Sequence, residues 1–426
     1  MMRKQLLAAA VVVVMAVSAV ALLTDDSEAD STTNLVKIGD NWYSSLDEAL
    51  TAAGSMSGEV TVEIYGKVEY SSSTPNLAGS YDSITFVGKV AEAEISLTKT
   101  GGSGYISGQP GNVKVNFEHL ILSRPYGAWA GDAGHMSKYF TVYRTGDVSY
   151  TDCTFPDGAC AANEKTSTRT SVSYTSCQFG GATGKYGLWI YANTDCSVDN
   201  CSFNGYRGVK MYSEGGSSHE GGADVFSSLT LKDTIFSSSV TEKPAIALTF
   251  GKSVTLENNT YPSKGMFELG VGSDANPNGT TIMSDVEDIS CISDYSSDCG
   301  VLVDGKIYRS LNEADDSGAI ESTSTISMMY DSDEEIDLPA GVTVNKNSHT
   351  MDSVTIAGQP IPDPEPEPTP VVPGTSDDDD DPPYIPSVVR KDSSDDKTKT
   401  YAVAAAAAAA AAILALLAMA ISRGKF

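Results

Sequence analysis

Aromatic side chains that carry a polar atom recur in the middle of this chain, and their chemistry suits the binding of sugars. We predict the following six as ligand-binding residues: Tyr126, Trp129, Tyr143, Trp189, Tyr191 and Tyr212. Such rings stack on sugar faces while the hydroxyl or indole N–H donates a hydrogen bond. The alternative is that "LWIY" at 188–191 is apolar on both faces and packs beneath a loop.

Catalysis on polysaccharides would need further groups, namely paired carboxylates or a base beside clustered aspartates. The outward positions of the repeat described below carry no charged residue. One column reads Asn116, Ser149, Ser173, Ser197, Thr230 and Thr255, and the other reads Ile121, Thr154, Gln178, Ser202, Ile235 and Thr260. We therefore predict no catalytic residue and no enzyme activity.

Metal ligation and cofactor binding find no support in the residue pattern. His135 and His219 lie in glycine-rich segments, but no second ligand stands at a spacing typical of a metal site. The aspartate run 377–381 allows a structural calcium ion, but only its negative charge supports this interpretation. We predict neither a metal site nor a cofactor.

Seven cysteines raise the question of disulfide bonds. Three of them share one inward position of the repeat, namely Cys153, Cys177 and Cys201, and Cys196 lies nearby. Thr234 and Asn259 occupy the same position further along, which favours a buried packing role for the thiols. Cys291 and Cys299, eight residues apart, are the predicted disulfide pair. The odd total leaves at least one cysteine outside any internal pair.

Three sequons predict N-glycosylation: "NCS" at Asn200, "NNT" at Asn258 and "NGT" at Asn278. The first two asparagines fall at a corner of the repeat, where backbone hydrogen bonds compete for the side chain. Asn278 is the favoured acceptor.

The repeat itself is the strongest structural signal. "VSYTDCTF" at 148–155 returns as "VSYTSCQF" at 172–179, and the equivalent position advances from 120 to 153, 177, 201, 234 and 259. Each unit has two short alternating strands around a corner, and a third apolar strand follows in several units. His, Asp, Ser or Asn at the corner tolerates a left-handed backbone. The pattern predicts an all-β protein, a right-handed parallel β-helix with a period of about 24 residues.

A longer repeat marks the caps. "VKIGDNWYSSLDEAL" at 36–50 matches "VLVDGKIYRSLNEAD" at 301–315, and each copy contains a Ser-x-x-Glu capping box. The first box predicts a short helix at 46–53 that covers the open first coil. We predict a β-helix ectodomain over 34–285 and a second cap-like β module over 291–357.

Both ends of the chain carry membrane signals. Residues 1–23 predict a signal peptide, with an uncleaved anchor as the alternative. A Pro/Asp-rich linker spans 358–400, and its composition predicts a disordered stalk. Residues 402–421 are uninterruptedly apolar, and 422–426 are basic. They predict a transmembrane helix and a cytoplasmic tail, which places the ectodomain outside the cell on a single-pass anchor.

Charge limits the partners. The chain has 28 basic and 56 acidic residues and a formal net charge of −28. Binding of nucleic acid needs clustered Lys and Arg, so we predict none. The predicted partners are glycans or cell-surface polymers, together with the membrane.

The opening "[W/I]Y-x-S-L-x-E-A", the pectate-lyase-like coils, "DDDDDPPYIP" and the C-terminal span together resemble adhesin-like surface proteins of methanogenic archaea. The resemblance implies an archaeal, extracellular glycoprotein that binds glycans or neighbouring cell surfaces without catalysis. One alternative is a membrane-tethered polysaccharide lyase or glycoside hydrolase, since "NTD" at 193–195 and "RGVK" at 207–210 are similar to fragments of the polygalacturonase pattern. The other is a structural protein of the cell envelope.

Overall fold

The structure is a computed structural model that describes residues 34–362 with internal gaps. The gaps are 71–76, 78, 99–105, 108–112, 126–137, 144–145, 163–168, 182–183, 192, 213–225, 263–264, 271–275, 277 and 286–299. All structural statements below concern the described residues.

The chain begins with a hairpin and a helix that cover the first coil. Strands β1 (Val36–Ile38) and β2 (Asn41–Tyr43) pair antiparallel, and helix α1 spans Leu46–Ala53. The Ser45 hydroxyl accepts a hydrogen bond from the Glu48 N–H at 3.2 Å, as the capping box predicts. Leu46, Ala49, Leu50 and Ala53 are buried on one face of α1. The predicted capping helix is confirmed.

Short strands then follow one another along the coils. The first eleven are β3 (Ser57–Ile64), β4 (Lys67–Tyr70), β5 (Ser80–Gly88), β6 (Glu94–Leu97), β7 (Ile106–Ser107), β8 (Lys114–Glu118), β9 (Ile121–Ser123), β10 (Phe140–Tyr143), β11 (Val148–Thr151), β12 (Thr154–Phe155) and β13 (Ala159–Ala161). The next twelve are β14 (Thr170–Thr175), β15 (Gln178–Phe179), β16 (Tyr186–Ile190), β17 (Thr194–Asp199), β18 (Ser202–Phe203), β19 (Arg207–Met211), β20 (Ser228–Lys232), β21 (Ile235–Phe236), β22 (Ile246–Leu248), β23 (Ser253–Glu257), β24 (Phe267–Leu269) and β25 (Thr280–Ser284).

These strands form three parallel sheets. Sheet A stacks β3, β5, β8, β11, β14, β17, β20, β23 and β25; sheet B stacks β4, β6, β9, β12, β15, β18 and β21; sheet C stacks β7, β10, β13, β16, β19, β22 and β24. Val148 pairs with Val172 and Tyr150 with Tyr174, so the two repeated phrases lie in register on adjacent coils. Parallel strands joined by crossovers of this kind are right-handed. The chain folds as a right-handed parallel β-helix, which confirms the predicted fold class.

The corner between sheets A and B has the left-handed backbone that the sequence predicts. The φ values at this position are 55° for His119, 52° for Asp152, 56° for Ser176, 52° for Asn200, 48° for Asp233 and 50° for Asn258. A single left-handed residue turns the chain sharply while keeping both flanking strands directed at the same core.

Aromatic side chains stack along the core from coil to coil. In sheet A, the Phe117 and Tyr150 ring centroids are 5.1 Å apart, and Tyr150 and Tyr174 are 4.8 Å apart. In sheet B, Phe179 and Phe203 are 4.6 Å apart. The interplanar angles are 12°, 6° and 12°, respectively. The stacks add aromatic contact energy to the area that they bury.

The inward position after the corner forms a hydrogen-bonded ladder. The Cys177 N–H donates to Cys201 Sγ at 3.2 Å, the Cys201 N–H donates to Thr234 Oγ1 at 3.4 Å, and the Thr234 N–H donates to Asn259 Oδ1 at 3.0 Å. Thr234 Oγ1 in turn donates to the Lys232 carbonyl at 2.8 Å. The thiols are free and buried, as predicted, but the position selects an acceptor as well as a small volume. We call this column the corner ladder.

A second module follows the coils. It contains β26 (Val301–Val303), β27 (Lys306–Tyr308), helix α2 (Leu311–Asp316), β28 (Thr325–Met328), β29 (Ile336–Leu338), β30 (Thr343–Asn345), β31 (Val354–Ile356) and β32 (Gln359–Pro360). Strand β27 pairs antiparallel with β25, so sheet A continues through β26 and β28 to β30. Strands β29, β31 and β32 form a separate small sheet. The module has its own hydrophobic cluster, which includes Val301, Leu311 and Met328.

The described chain extends into the predicted linker. Ala357 and Gly358 turn with φ of 48° and 73°, and β32 pairs back on β31. The Gly358 N–H donates to Asp337 Oδ1 at 2.8 Å, which fixes this hairpin. Residues 358–362 are therefore part of the folded module. The remainder of the linker, the signal segment, the apolar span 402–421 and the tail lie outside the described residues.

Within the described part of the chain, neither helix has the length and apolar character needed to cross a bilayer. The described residues all belong to one compact unit.

Candidate functional site

The outer face of sheet C is where the structure places the predicted aromatic residues. Register aligns Cys160 with Trp189, Trp189 with Lys210, and Lys210 with Ala247. Their neighbours in sequence, Leu188 and Val209 among them, point into the core of the helix. Trp189 and Lys210 therefore point away from the core on successive coils.

Most of the predicted binding residues are buried. Tyr143, Trp189 and Tyr191 are only 2 %, 2 % and 7 % exposed, and Tyr212 packs against them half-buried. The expectation of an exposed aromatic strip is wrong for the three buried rings, because they pack together with Tyr139, Cys160 and Ala162 in a hydrophobic cluster of their own. Their direction and mutual proximity are as predicted, since Tyr212 lies 5.7 Å from Trp189 and 6.1 Å from Tyr191. Tyr126 and Trp129 lie outside the described residues. A binding role for the six stays a prediction.

Lys210 is the centre of an aromatic cluster. Its Nζ lies 5.8 Å from the ring centroid of Tyr186, 5.6 Å from that of Trp189 and 5.3 Å from that of Tyr212. An ammonium group at these distances is attracted by the negative face of each ring. The three rings hold the charge of Lys210 at the half-exposed outer surface of sheet C.

A second cation shares the Tyr186 ring. The Arg207 guanidinium lies 5.2 Å from its centroid, and Tyr186 pairs with Arg207 across β16 and β19. Arg207 Nε donates to Glu242 Oε2 at 3.1 Å and Nη2 donates to Oε1 at 3.3 Å. The Gly184 N–H donates to the same carboxylate at 3.2 Å. We call Tyr186, Trp189, Arg207, Lys210, Tyr212 and Glu242 the Tyr186 cluster.

Electrostatics keep Glu242 and Arg207 charged. Partial burial alone would raise the pKa of Glu242, but hydrogen bonds from Arg207 and Gly184 outweigh it and lower the pKa below its usual value. Burial would lower the pKa of Arg207, but the hydrogen bond to Glu242 and the nearby charges raise it. The carboxylate is ionised at neutral pH, so it suits the role of a hydrogen-bond acceptor rather than that of a proton donor.

Two further groups belong to the cluster or lie next to it in sequence. Trp189 Nε1 is buried and has no hydrogen-bond partner among the described residues. Tyr206 is 46 % exposed, and its carbonyl accepts a hydrogen bond from the Glu242 N–H at 3.1 Å. The cluster thus combines two cations and an ionised carboxylate with buried aromatic rings, and the exposed residue Tyr206 precedes Arg207 in sequence.

Charged side chains also line the turns that lead into sheet C. Lys185 Nζ lies 3.9 Å from Asp157 Oδ1, and the Arg124 N–H donates to Asp157 Oδ2 at 3.1 Å. Burial lowers the pKa of Lys185, an effect that Asp157 opposes and Arg124 supports. Further along, Lys243 Nζ lies 2.7 Å from Glu268 Oε1. Basic residues therefore follow one edge of sheet C over several coils.

The remaining predicted sites stay predictions. Asn200 is half-buried and donates to Ser176 Oγ at 3.0 Å, whereas Asn258 and Asn278 are exposed. Cys291 and Cys299 lie outside the described residues. The described residues contain no cluster of three or more His, Cys, Asp or Glu side chains that could hold a metal ion.

Sequence reasoning missed most of the Tyr186 cluster. It identified Trp189 and Tyr212 as ligand-binding residues, but it did not connect Tyr186 and Glu242 with them. Tyr186 is the first residue of β16, and Glu242 lies in the connection before β22, where the coils differ in length. The "RGVK" segment at 207–210, which supplies both cations, was the available signal.

Comparison with known proteins gives similar solved structures. No family model matches the chain, and no curated protein matches it. Among solved structures, the deglycosylated pectin methylesterase of Aspergillus niger is 13 % identical, with a TM-score of 0.35, over 61 % of this chain and 86 % of that chain. A penultimately deglycosylated form of the same enzyme gives a TM-score of 0.34 with the same identity and coverage. Their fold is a right-handed parallel β-helix related to that of pectate lyase.

The comparison corrects one prediction. We predicted that the protein is not an enzyme, but the solved structures that it resembles are enzymes. The likeness is confined to the fold and assigns neither a substrate nor a reaction. Neither structure is an adhesin, so the adhesin part of the sequence resemblance stays a prediction.

Proposed function

We propose that this protein is a carbohydrate-active protein that engages an acidic polysaccharide at the Tyr186 cluster. One observation carries the proposal: Arg207 and Lys210 both lie over the ring of Tyr186, on the outer face of sheet C. Glu242 neutralises Arg207, so Lys210 leaves the cluster with a net positive charge in a chain whose net charge is −28. A ligand that prefers this place over the rest of the surface carries negative charge.

The aromatic groups favour a sugar as the carrier of that charge. Tyr206, the residue before Arg207 in sequence, has an exposed ring, and sugar rings stack on such faces. Arginine and lysine recognise carboxylates through charge-assisted hydrogen bonds. Uronic acid polymers combine a ring face, hydroxyl groups and a carboxylate in each unit.

The same groups limit the reaction. Glycoside hydrolysis needs a protonated carboxylic acid and a second carboxylate, whereas Glu242 is kept ionised by Arg207. Cations that neutralise a uronate carboxylate make the neighbouring C–H more acidic, so abstraction of that proton by a base becomes easier. Of the two enzyme classes that the sequence allowed, the Tyr186 cluster therefore favours a lyase over a hydrolase.

The predicted surface location completes the proposal. We propose that the β-helix lies outside the cell, because a predicted signal segment precedes it and an acidic linker and an apolar span at 402–421 follow it. A protein so tethered meets polysaccharides of its own or a neighbouring envelope. Attachment to neighbouring surfaces through these glycans is compatible with the resemblance to adhesin-like proteins.

The experiment measures binding of the full-length protein to polygalacturonate and alginate, with dextran as a neutral control. Lys210→Gln removes one cation from the cluster and should weaken binding to the acidic polymers about tenfold, given about 1–3 kcal/mol for a charge-assisted contact. Lys232→Gln is the matched control, because Lys232 is a half-exposed lysine of sheet A that pairs with Glu257 at 3.7 Å. Its binding should equal that of the wild type.

Turnover is measured on the same polymers and on pectin. Unsaturated products indicate elimination, new reducing ends indicate hydrolysis, and released methanol indicates ester cleavage, the reaction of the pectin methylesterases whose fold this chain resembles. Equal binding to dextran, or equal loss in Lys210→Gln and Lys232→Gln, would contradict the proposed site. Unsaturated product that disappears in Lys210→Gln supports the lyase assignment. New reducing ends would instead assign a hydrolase, and released methanol would assign an esterase.

A further inference from the structure

The chain contains the same hairpin–helix unit twice. The first copy is β1, β2 and α1, and the second is β26, β27 and α2. The starts differ by 301 − 36 = 265 residues for β1 and β26, and by 306 − 41 = 265 for β2 and β27. The antiparallel register is also the same, since Val36 pairs with Tyr43 and Val301 with Tyr308. The two copies are therefore structurally equivalent, position by position.

The strands that follow are equivalent too. β1 pairs antiparallel with β3, which pairs parallel with β5; β26 pairs antiparallel with β28, which pairs parallel with β30. The second module thus begins a new β-helix in the way that the first one began.

The two copies differ in what lies against their outer edge. The outer edge of β27 pairs antiparallel with β25, the last coil of the first β-helix, through Thr280 with Ile307 and Thr281 with Lys306. Within the described part of the chain, no strand pairs with the equivalent edge of β2, and β2 ends sheet A. The internal copy shows what this edge is shaped to receive.

Side-chain exposure follows the same difference. Ile307 is 3 % exposed and belongs to the core of the β-helix, whereas its counterpart Trp42 (42 + 265 = 307) is 37 % exposed. Leu302 packs against that core as well, and its counterpart is Lys37. The N-terminal face therefore exposes a large aromatic ring at the position where the internal face is buried beneath a coil.

The opposite end of sheet A offers the complementary strand. Among the described strands, β30 is the last one in sheet A, and it pairs only with β28. Strand β30 has the place in the second module that β25 has in the first, because each is the final parallel strand of its module. The edge that β27 covers in β25 has no partner strand in β30 among the described residues. A single chain thus carries both halves of the β25–β27 junction at its two ends.

We propose that the outer edge of β2 receives β30 of a second copy of this chain, in antiparallel pairing that reproduces the β25–β27 junction. Edge strands recruit other chains by adding backbone hydrogen bonds. Because the two surfaces are different, the contact is head-to-tail and repeats into a filament of stacked β-helices. A second copy is the occupant, since this chain supplies the partner strand and an internal example of the pairing.

Charge sets the strength of this contact. Lys37 Nζ lies 5.6 Å from the Trp42 ring centroid and 3.9 Å from Glu63 Oε2, so a charge stands where Leu302 packs in the internal junction. The net charge of −28 also makes copies repel each other. The contact is therefore weak at low ionic strength and strengthens as salt screens the repulsion.

The test is sedimentation velocity of the full-length protein in detergent micelles. Raising NaCl from about 0.1 M to about 1 M shortens the screening length from about 10 Å to about 3 Å, and larger species should appear. Trp42→Lys should abolish them. Tyr206→Lys is the matched control, because Tyr206 is an aromatic residue with 46 % exposure on the flank of the helix. It should assemble like the wild type.

A gain-of-function variant keeps the proposal falsifiable if Trp42→Lys fails to fold, which circular dichroism would show. Lys37→Leu restores the residue type of the internal junction and should lower the concentration needed for assembly about tenfold. A wild type that is monomeric at all salt concentrations overturns the proposal. Assembly that survives Trp42→Lys also overturns it and would indicate association through micelles. Assembly that Tyr206→Lys weakens as much as Trp42→Lys does overturns it as well.

Discussion

The corner ladder predicts that the stability of a coil depends on a hydrogen-bond acceptor at position 201, beyond the volume of the side chain. Cys201 Sγ accepts the Cys177 N–H at 3.2 Å and donates to the Asp199 carbonyl at 3.2 Å. Threonine already performs both tasks one coil later, at Thr234. Cys201→Thr should therefore preserve the hydrogen bonds of the corner ladder. Cys201→Val should break them, because valine has the shape of threonine but no hydrogen-bonding atom.

The magnitude follows from two opposing effects. In Cys201→Val the buried Cys177 N–H loses its partner, which costs about 1–3 kcal/mol. The extra methyl group of valine, buried in place of a hydroxyl, returns about 0.8 kcal/mol. We expect the free energy of unfolding of Cys201→Val to lie about 1–2 kcal/mol below that of Cys201→Thr.

Urea unfolding of the full-length protein measures the difference, and hydrogen exchange localises it. The Cys177 amide should exchange about tenfold faster in Cys201→Val than in Cys201→Thr, since 1.4 kcal/mol corresponds to a factor of ten. If packing alone determined this position, valine would be at least as stable as threonine. That order would refute the ladder.

Three further predictions concern single residues. Partial burial alone would raise the pKa of Glu334, but hydrogen bonds from Tyr330, Asn312 and Leu311 outweigh it and lower the pKa. The ionised carboxylate therefore stabilises the fold above the usual pKa range of glutamate, and this stabilisation is lost as the pH falls through the lowered pKa. Glu334→Gln should thus lower the melting temperature at pH 7, and the difference from the wild type should vanish in acid. Burial raises the pKa of the Cys160 thiol, so a thiol reagent should label it in urea and not in the native state; native labelling would contradict its burial. Ser176→Val places a branched side chain at φ 56° and should cost about 1–2 kcal/mol by calorimetry, while Ser176→Gly should cost less.

The fold was predictable because the solenoid repeats its constraints. The corner residues, the inward aromatic columns and both capping boxes recur at constant spacing, and each recurrence reinforces the others. Strand β13 (Ala159–Ala161) was missed, because its small residues lack the apolar signal of the other sheet C strands. The aromatic face of sheet C was predicted in direction but not in exposure, because an apolar run such as Leu188–Ile190 does not reveal what covers it.

The candidate site was less predictable for a related reason. Tyr186, Arg207 and Glu242 meet only after the lengths of the connections between sheets have been fixed, and those lengths vary from coil to coil. Their charges also carry no periodic pattern, since ion pairs need complementarity in space rather than regular spacing in sequence. The sequence did not reveal that the corner ladder needs a hydrogen-bond acceptor. Cysteine, threonine and asparagine all supply one, although their side chains differ in chemistry.

The ladder also makes each coil an exchangeable part. Cys153 and Cys177 occupy equivalent corners, and the 24 residues from 153 to 176 begin and end at the same point of the cross-section. An in-frame duplication or deletion of such a segment leaves every remaining side chain facing the neighbour type it had before. A gene encoding this scaffold can therefore lengthen or shorten its outer faces in whole steps, and the span of any polymer-binding surface can change without redesign of the core.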